Sequence, residues 1–237
     1  MGLFGRKVKK QPETCCSMVV LAAGSSSRMG RDKIMLDVGG IPVVVRTLRV
    51  FEAVQEVNEV IVVTREDLVP EIAGLCRAFG LQKVKKVVRG GTTRAESARI
   101  GTLEADRDAV LIAIHDGARP FVSEEVVRST ILKASQTGAA VPAVPVKDTI
   151  KVAHDGLVEY TPERATLFAV QTPQVFDASL IRAALQKALD DGADLTDDCS
   201  AVERLGMKVS LTKGEDCNFK LTTLTDLVCA EAMLQEV

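Results

Sequence analysis

The chain has no surplus of positive charge: 30 Lys and Arg stand against 32 Asp and Glu, a formal net charge of -2. Nucleic-acid affinity draws on clustered Lys and Arg that neutralise phosphates, so no nucleic-acid partner is expected. Also missing is any apolar run near the ~20 residues that span a bilayer. The start, MGLFGRKVKKQPETCCS, has basic residues but no long apolar segment behind them. No membrane partner is expected, and the reading is of a cytoplasmic protein with a short leader over residues 1–17. The six cysteines (Cys15, Cys16, Cys76, Cys199, Cys217 and Cys229) form no Cys-x-x-Cys pair, and the two histidines, His115 and His154, lie far apart. A zinc site built by the protein alone is not expected, and the thiols read as small hydrophobes or surface residues rather than a disulfide framework.

Two familiar phosphate loops are absent as well. In GSSSRMG five residues separate Gly24 from Gly30, and Arg31-Asp32 stands between Gly30 and Lys33, which breaks the P-loop pattern. Ser26 occupies the place of the second glycine in Gly-x-Gly-x-x-Gly, which breaks the dinucleotide fingerprint. Neither an ATPase of the P-loop kind nor a dehydrogenase is indicated.

What is present is an alternation. With 46% hydrophobic residues in 237, the chain can bury the core of one large α/β domain. Short β-rich runs (MVVLAA, EVIVVT, KKVVRG, AVLIAIHD, AAVPAVPV, KVSLTKG) recur between stretches with apolar residues at spacings of three and four (VVVRTLRVFEAV, EDLVPEIAGLCRAF, RAESARIGTLEA, EEVVRSTILKASQ, ASLIRAALQKALDD, LTDLVCAEAMLQE). The expected fold is α/β, a Rossmann-like three-layer sandwich with a mostly parallel central sheet. No repeat or Pro/Ser/Gly linker divides it, so residues 18–237 read as a single domain. KDTIKVAHDGLVEYT, residues 147–161, breaks the alternation: Asp155-Gly156 between β-rich runs predicts a hairpin that protrudes as an arm.

The run MVVLAAG ends a buried strand at the carboxyl edge of the sheet, where open α/β folds bind ligands. Ser25, Ser26 and Ser27 add hydroxyls and amides, and Arg28 and Lys33 add fixed positive charge, a combination suited to a polyphosphate.

LAAGSSSRMGRDK, GGTTRAESARIG, HDGARPFV, PVKDTIK, QTPQVF, TDD and NFKLTT occur in the order seen in 2-C-methyl-D-erythritol 4-phosphate cytidylyltransferases, and the chain closely resembles that family from Met18 to its C terminus. The resemblance implies transfer of CMP from CTP to 2-C-methyl-D-erythritol 4-phosphate, giving the CDP-alcohol and pyrophosphate in non-mevalonate isoprenoid synthesis. It implies Arg28, Lys33, Arg164 and Lys220 as catalytic residues. It implies Ala22, Ala23, Gly24, Ser25, Gly90, Gly91, Thr92, Ser97, Asp116 and Gly117 around the nucleotide, with Arg94 in the same motif. Thr149, Arg164, Thr172, Thr196 and Lys220 match the positions that hold the second substrate. Mg2+ or another divalent cation is implied as cofactor, held mostly by the CTP phosphates with Asp116 as a protein ligand. The arm is implied to clasp a second copy in a homodimer, with Thr149 and Arg164 completing the partner's site.

The chain departs from the family at Thr92, where many members carry an acidic residue, and at Leu224, where a proline is frequent. The closest rival reading is a ribitol-5-phosphate cytidylyltransferase, against which RAESARIG speaks. A rival from another class is a nucleotide sensor that has lost turnover, against which the joint presence of Arg28, Lys33, Arg164 and Lys220 speaks.

Overall fold

A computed structural model describes residues 15–24 and 32–235. Its elements run β1 (Cys16–Ala22), β2 (Asp37–Val38), β3 (Ile41–Pro42), α1 (Val43–Ala53), β4 (Val57–Thr64), α2 (Val69–Ala78), β5 (Val84–Arg89), α3 (Arg94–Glu104), β6 (Leu111–Asp116), α4 (Glu124–Thr137), β7 (Ala139–Pro145), β8 (Val152–His154), β9 (Leu157–Tyr160), β10 (Phe168–Val170), β11 (Gln174–Asp177), α5 (Ala178–Asp190), α6 (Asp198–Arg204), β12 (Ser210–Lys213) and α7 (Leu224–Gln235).

Among the described residues the main sheet has eight strands, ordered β10-β7-β11-β6-β1-β4-β5 with β12 on β7. The pairs β6-β1, β1-β4, β4-β5 and β12-β7 are parallel. Strand alternation sorts the core into two layers. Met18, Val20 and Ala22 of β1 face the side covered by α1, α2 and α4, where Val44, Leu48, Ile72 and Ile131 are buried. Val19, with Ile61 and Ile114 from the neighbouring strands, faces α3, α5 and α6, where Ala98, Ile181, Leu185 and Val202 are buried. Helix starts are fixed by side chains: Thr93 and Glu96 form a capping box on α3, and Asp177 accepts from the Ser179 and Leu180 amides on α5.

The three-layer expectation stands, with three differences in detail. Strand β1 begins at Cys16, inside the stretch read as leader, and both Cys16 and Ser17 are fully buried. Strand β11 is antiparallel and sits between β6 and β7, with β10 continuing its course along β7. Helix α6 is an addition to the expected set. The arm has its turn where expected, with Asp155 at φ 48° and Gly156 at φ 78°, the two left-handed residues of a primed hairpin turn. Cys16, Cys76 and Cys199 are buried in the core as small hydrophobes. No helix among the described residues is long and apolar enough to cross a membrane.

Candidate active site

Parallel register puts the ends of β1, β4 and β6 on one edge: Ala22 pairs with Thr64, and Leu21 with Asp116. Two chambers open there. One, of about 470 Å3, is lined by Ala22, Ala23, Gly24, Lys33, Gly91, Thr92 and Ser97 among others. The second, of about 600 Å3, is lined by Gln171, Thr172, Thr196, Asp197 and Ser200 among others. Arg94, Asp116 and Lys220 belong to both walls, so the chambers meet at those three side chains.

Asp116 ends β6 and is nearly buried, ringed by cations. Lys220 Nζ is 3.0 Å from its Oδ2, Arg119 Nε 3.4 Å from the same atom, and Arg94 Nη2 3.9 Å from Oδ1. Burial works to raise the carboxyl pKa, but Lys220, Arg94 and Arg119 outweigh it and hold it down at about 2. The group is therefore a fixed negative charge in contact with three cations.

Behind Asp116, burial pushes the His115 imidazole down to about 4, so the ring is neutral near pH 7. In the neutral tautomer that fits its neighbours, Nε2–H donates to the Arg119 carbonyl at 3.2 Å, and Nδ1 accepts from the Thr172 hydroxyl at 3.0 Å. The Thr172 oxygen in turn accepts the Asp116 amide at 3.2 Å. Thr172 thus lines the second chamber while its hydroxyl braces the strand end. Asn218, fully buried, donates to the Gln171 side chain and to the Thr172 carbonyl at 3.2 and 2.9 Å, and Arg119 Nη1 donates to the Asn218 carbonyl at 2.6 Å. This network delivers the segment carrying Lys220 to β6.

On the nucleotide side, the double glycine sits where a side chain would collide: a Cβ on Gly91 would run into Glu96, and one on Gly90 would come within 2.7 Å of Ser97 Oγ. The Gly90 amide donates to Thr64 O at 2.7 Å and the Gly91 amide to Ser97 Oγ at 3.2 Å. Both amides are therefore already engaged within the chain. Thr92 lines the chamber, but its amide and hydroxyl both donate to Glu96 Oε2, at 2.6 and 2.7 Å, so its side chain serves the start of α3. Gly90 and Gly117 support the chamber from behind: the Gly117 amide donates to Leu21 O at 2.8 Å, and Thr47 donates to its carbonyl at 2.9 Å.

Of the residues singled out in the sequence, Ala22, Ala23, Gly24, Lys33, Gly91, Thr92 and Ser97 line the first chamber, Thr172 and Thr196 the second, and Asp116 and Lys220 both. Arg28 and Ser25 lie outside the described residues. Thr149 and Arg164 stand apart from both chambers, exposed at the base of the arm, where Arg164 Nη1 donates to the Lys147 carbonyl at 3.1 Å. Two charged residues gain weight beyond their sequence reading. Arg119 was visible in HDGARP, but nothing local showed that it faces Asp116. Arg94, readable as a helix-start charge, proves to be shared by both chambers.

An edge that gathers cations where two chambers adjoin suits group transfer between two anionic substrates, the work of a nucleotidyltransferase. Residues 16–236 match the family model described as 2-C-methyl-D-erythritol 4-phosphate cytidylyltransferase. The chain is similar to the protein of that name from Halalkalibacterium halodurans, 45% identical over 222 residues that cover 93% of this chain and 97% of the relative. Its counterpart in Caldanaerobacter subterraneus subsp. tengcongensis is 42% identical over 228 residues, covering 93% and 99%. Among solved structures, the 4-diphosphocytidyl-2C-methyl-D-erythritol synthase of Anaerococcus prevotii superposes with a TM-score of 0.85 at 34% identity, covering 94% of this chain and 97% of that one. The Thermus thermophilus 2-C-methyl-D-erythritol 4-phosphate cytidylyltransferase gives 0.76 at 34%, covering 92% and 98%. The chain belongs to the 2-C-methyl-D-erythritol 4-phosphate cytidylyltransferase family.

Proposed function

We infer that this protein transfers CMP from CTP to 2-C-methyl-D-erythritol 4-phosphate, giving 4-diphosphocytidyl-2-C-methyl-D-erythritol and pyrophosphate in the non-mevalonate isoprenoid pathway. A phosphate oxygen of the alcohol attacks the α-phosphorus of CTP; the bond to the β-phosphate breaks, and its electron pair leaves on pyrophosphate. A phosphate monoester is already nucleophilic, so positioning and charge neutralisation carry the catalysis and no strong general base is required. The observation that supports this reading best is the junction of two chambers at Arg94, Asp116 and Lys220.

In this reading CTP occupies the first chamber, its triphosphate beside Gly24 and Lys33, with Arg28 and Ser25 contributing from the loop. Gly91, backed by Gly90, forms the wall beside the cytosine, and Ser97 and Asp116 adjoin the ribose. Methylerythritol phosphate occupies the second chamber, held by Thr172 and Thr196, with Lys220 at the boundary aligning the attacking oxygen. Lys33 and Arg28 neutralise charge growing on the departing pyrophosphate.

A divalent cation, Mg2+ in the simplest case, is the cofactor. Among the described residues no group of three or more His, Cys, Asp or Glu is placed to hold a metal. The donor set fits an ion that comes with the triphosphate and takes Asp116 as its protein carboxylate, and the ion would supply further neutralisation of phosphate charge.

The unit that works is one domain that begins with β1 at Cys16, its two core layers sharing a single sheet, and it pairs as a homodimer through the arm. Leu157, Val158 and Tyr160 on β9 are all more than half exposed, an apolar surface that a second copy would cover. Thr149 and Arg164 then belong to the partner's second chamber.

Pyrophosphate release tests the function: CTP with methylerythritol phosphate is expected to react, while ATP in place of CTP or ribitol 5-phosphate as acceptor reacts far more slowly. Faster turnover with ribitol 5-phosphate would replace the substrate assignment.

A further inference from the structure

Asp198 opens α6 and is fully buried, yet it carries a carboxylate. Its backbone is fixed from β11: the amides of Asp198 and Cys199 both donate to Gln174 Oε1, at 2.9 and 3.1 Å, and Gln174 Nε2 donates to Asp197 at 2.8 Å. Its side chain faces Arg94 as a fork, with Nη1 to Oδ1 at 2.9 Å and Nη2 to Oδ2 at 2.7 Å. Burial works against the charge on Arg94, but the carboxylates of Asp198, Asp116 and Asp197 outweigh it and raise its pKa. The same Nη2 that is 2.7 Å from Asp198 is 3.9 Å from Asp116, beyond hydrogen-bond reach. Asp198 therefore wins the guanidinium and leaves Asp116 to Lys220.

We propose that Asp198 is a positioning residue that acts through Arg94: it holds the guanidinium on the boundary between the two chambers and keeps it from collapsing onto Asp116. The proposal rests on the nucleotidyl-transfer reading given above. Helix α3 closes the first chamber and α6 the second, so this ion pair fixes the spacing between the two anionic substrates. Without the carboxylate, Arg94 is drawn toward Asp116, competes with Lys220 and loses the position that the fork fixes. A group displaced by about 1 Å in such a site can cost on the order of 100-fold in rate.

The test uses the full chain with four forms: wild type, Asp198→Asn, Arg94→Gln, and the double variant. Asp198→Asn keeps the shape but removes the charge and leaves Arg94 without its partner; the double variant removes both charges, so no unpaired buried charge remains and it is expected to fold more stably than the single one. Expected are losses of about 100-fold in kcat for each single variant, with KM for CTP little changed. The double variant is expected to melt closer to wild type than Asp198→Asn, and to be no slower than the slower single variant, because both act through one guanidinium. Losses that multiply in the double variant would overturn the proposal, as would kcat that recovers along with the melting temperature, since Asp198 would then be a structural residue only. An active wild type with a fully active Asp198→Asn overturns this proposal alone. A wild type that releases no pyrophosphate overturns the functional reading on which it rests.

Discussion

Lys220 Nζ lies 3.0 Å from Asp116 Oδ2, so a residue reached only after the last strand of the sheet closes onto the end of its central strand β6. With Lys220 gone, Asp116 keeps Arg119 and Arg94 as neighbours, so the carboxylate remains compensated and the fold should hold. What is lost is the cation at the boundary of both chambers. Lys220→Ala is expected to lower kcat by about 100-fold or more, the scale for removing one preorganised charge-stabilising group, with little change in melting temperature. Near-normal turnover would remove Lys220 from the chemistry.

His115 predicts an acid limit to stability. Its folded pKa is depressed from 6.5 to about 4 by burial. As pH falls through 6.5, the unfolded chain takes up a proton that the folded chain refuses. Stability is therefore full above pH 6.5 and declines down to pH 4, by on the order of 3 kcal/mol for this group. Asp116 acts in a lower window, since its pKa is depressed from 3.8 to about 2: its contribution is present above pH 3.8 and lost as pH falls toward 2. Urea unfolding of wild type and His115→Gln across pH 7 to 4 separates the two. The variant should show a shallower decline in that range; an identical slope would mean that the imidazole is not held neutral.

Two glycines of similar crowding should differ in consequence. A Cβ at Gly91 would collide with Glu96 at the wall of the first chamber, and a Cβ at Gly101 would collide with Val19 inside the core. Both alanine variants are expected to lose about 1–3 kcal/mol from overpacking, read from thermal melts. Only Gly91→Ala should also weaken CTP binding in a direct titration. Equal weakening in Gly101→Ala would mean that the double glycine has no particular part in nucleotide binding.

These contrasts follow the limits of what the sequence reveals. The parallel strands and their crossover helices were legible because runs such as MVVLAA are apolar on both faces and the helices carry a clear three-four spacing. In NFKLTT, Lys220 was singled out through family resemblance, and the fold brings it to Asp116; of GSSSR, Ser25 to Arg28 lie outside the described residues. Strand β11 was not: it has four residues, and its partners at Leu111–Ile114 and Ala139–Ala140 lie on two other strands, so no local period marks it. Arg94 followed the same logic. Its own neighbourhood indicates a helix start, and only a carboxylate 104 residues away turns it into a fixed guanidinium. Thr92 went the other way, because a glutamate four residues later takes both its donors.

The arm carries the last prediction. Arg164 is held at the Lys147 carbonyl, 3.1 Å away, and faces neither chamber of its own chain. Strand β9 beside it exposes Leu157, Val158 and Tyr160, which favours burial against a second copy. If Arg164 reaches the partner's second chamber, Lys220→Ala and Arg164→Ala damage the same site from different chains. Each variant alone should be nearly inactive. Mixed and allowed to exchange subunits, they form heterodimers in which one site receives intact Lys220 from one chain and intact Arg164 from the other, while the second site receives neither. With half of the dimers mixed and one working site in each, activity should rise to about one quarter of wild type, provided the sites act independently. Mass spectrometry of the mixture confirms exchange before the assay is read. Confirmed exchange without recovery would place Arg164 in the site of its own chain, and a monomer at assay concentration would end the case for a shared site.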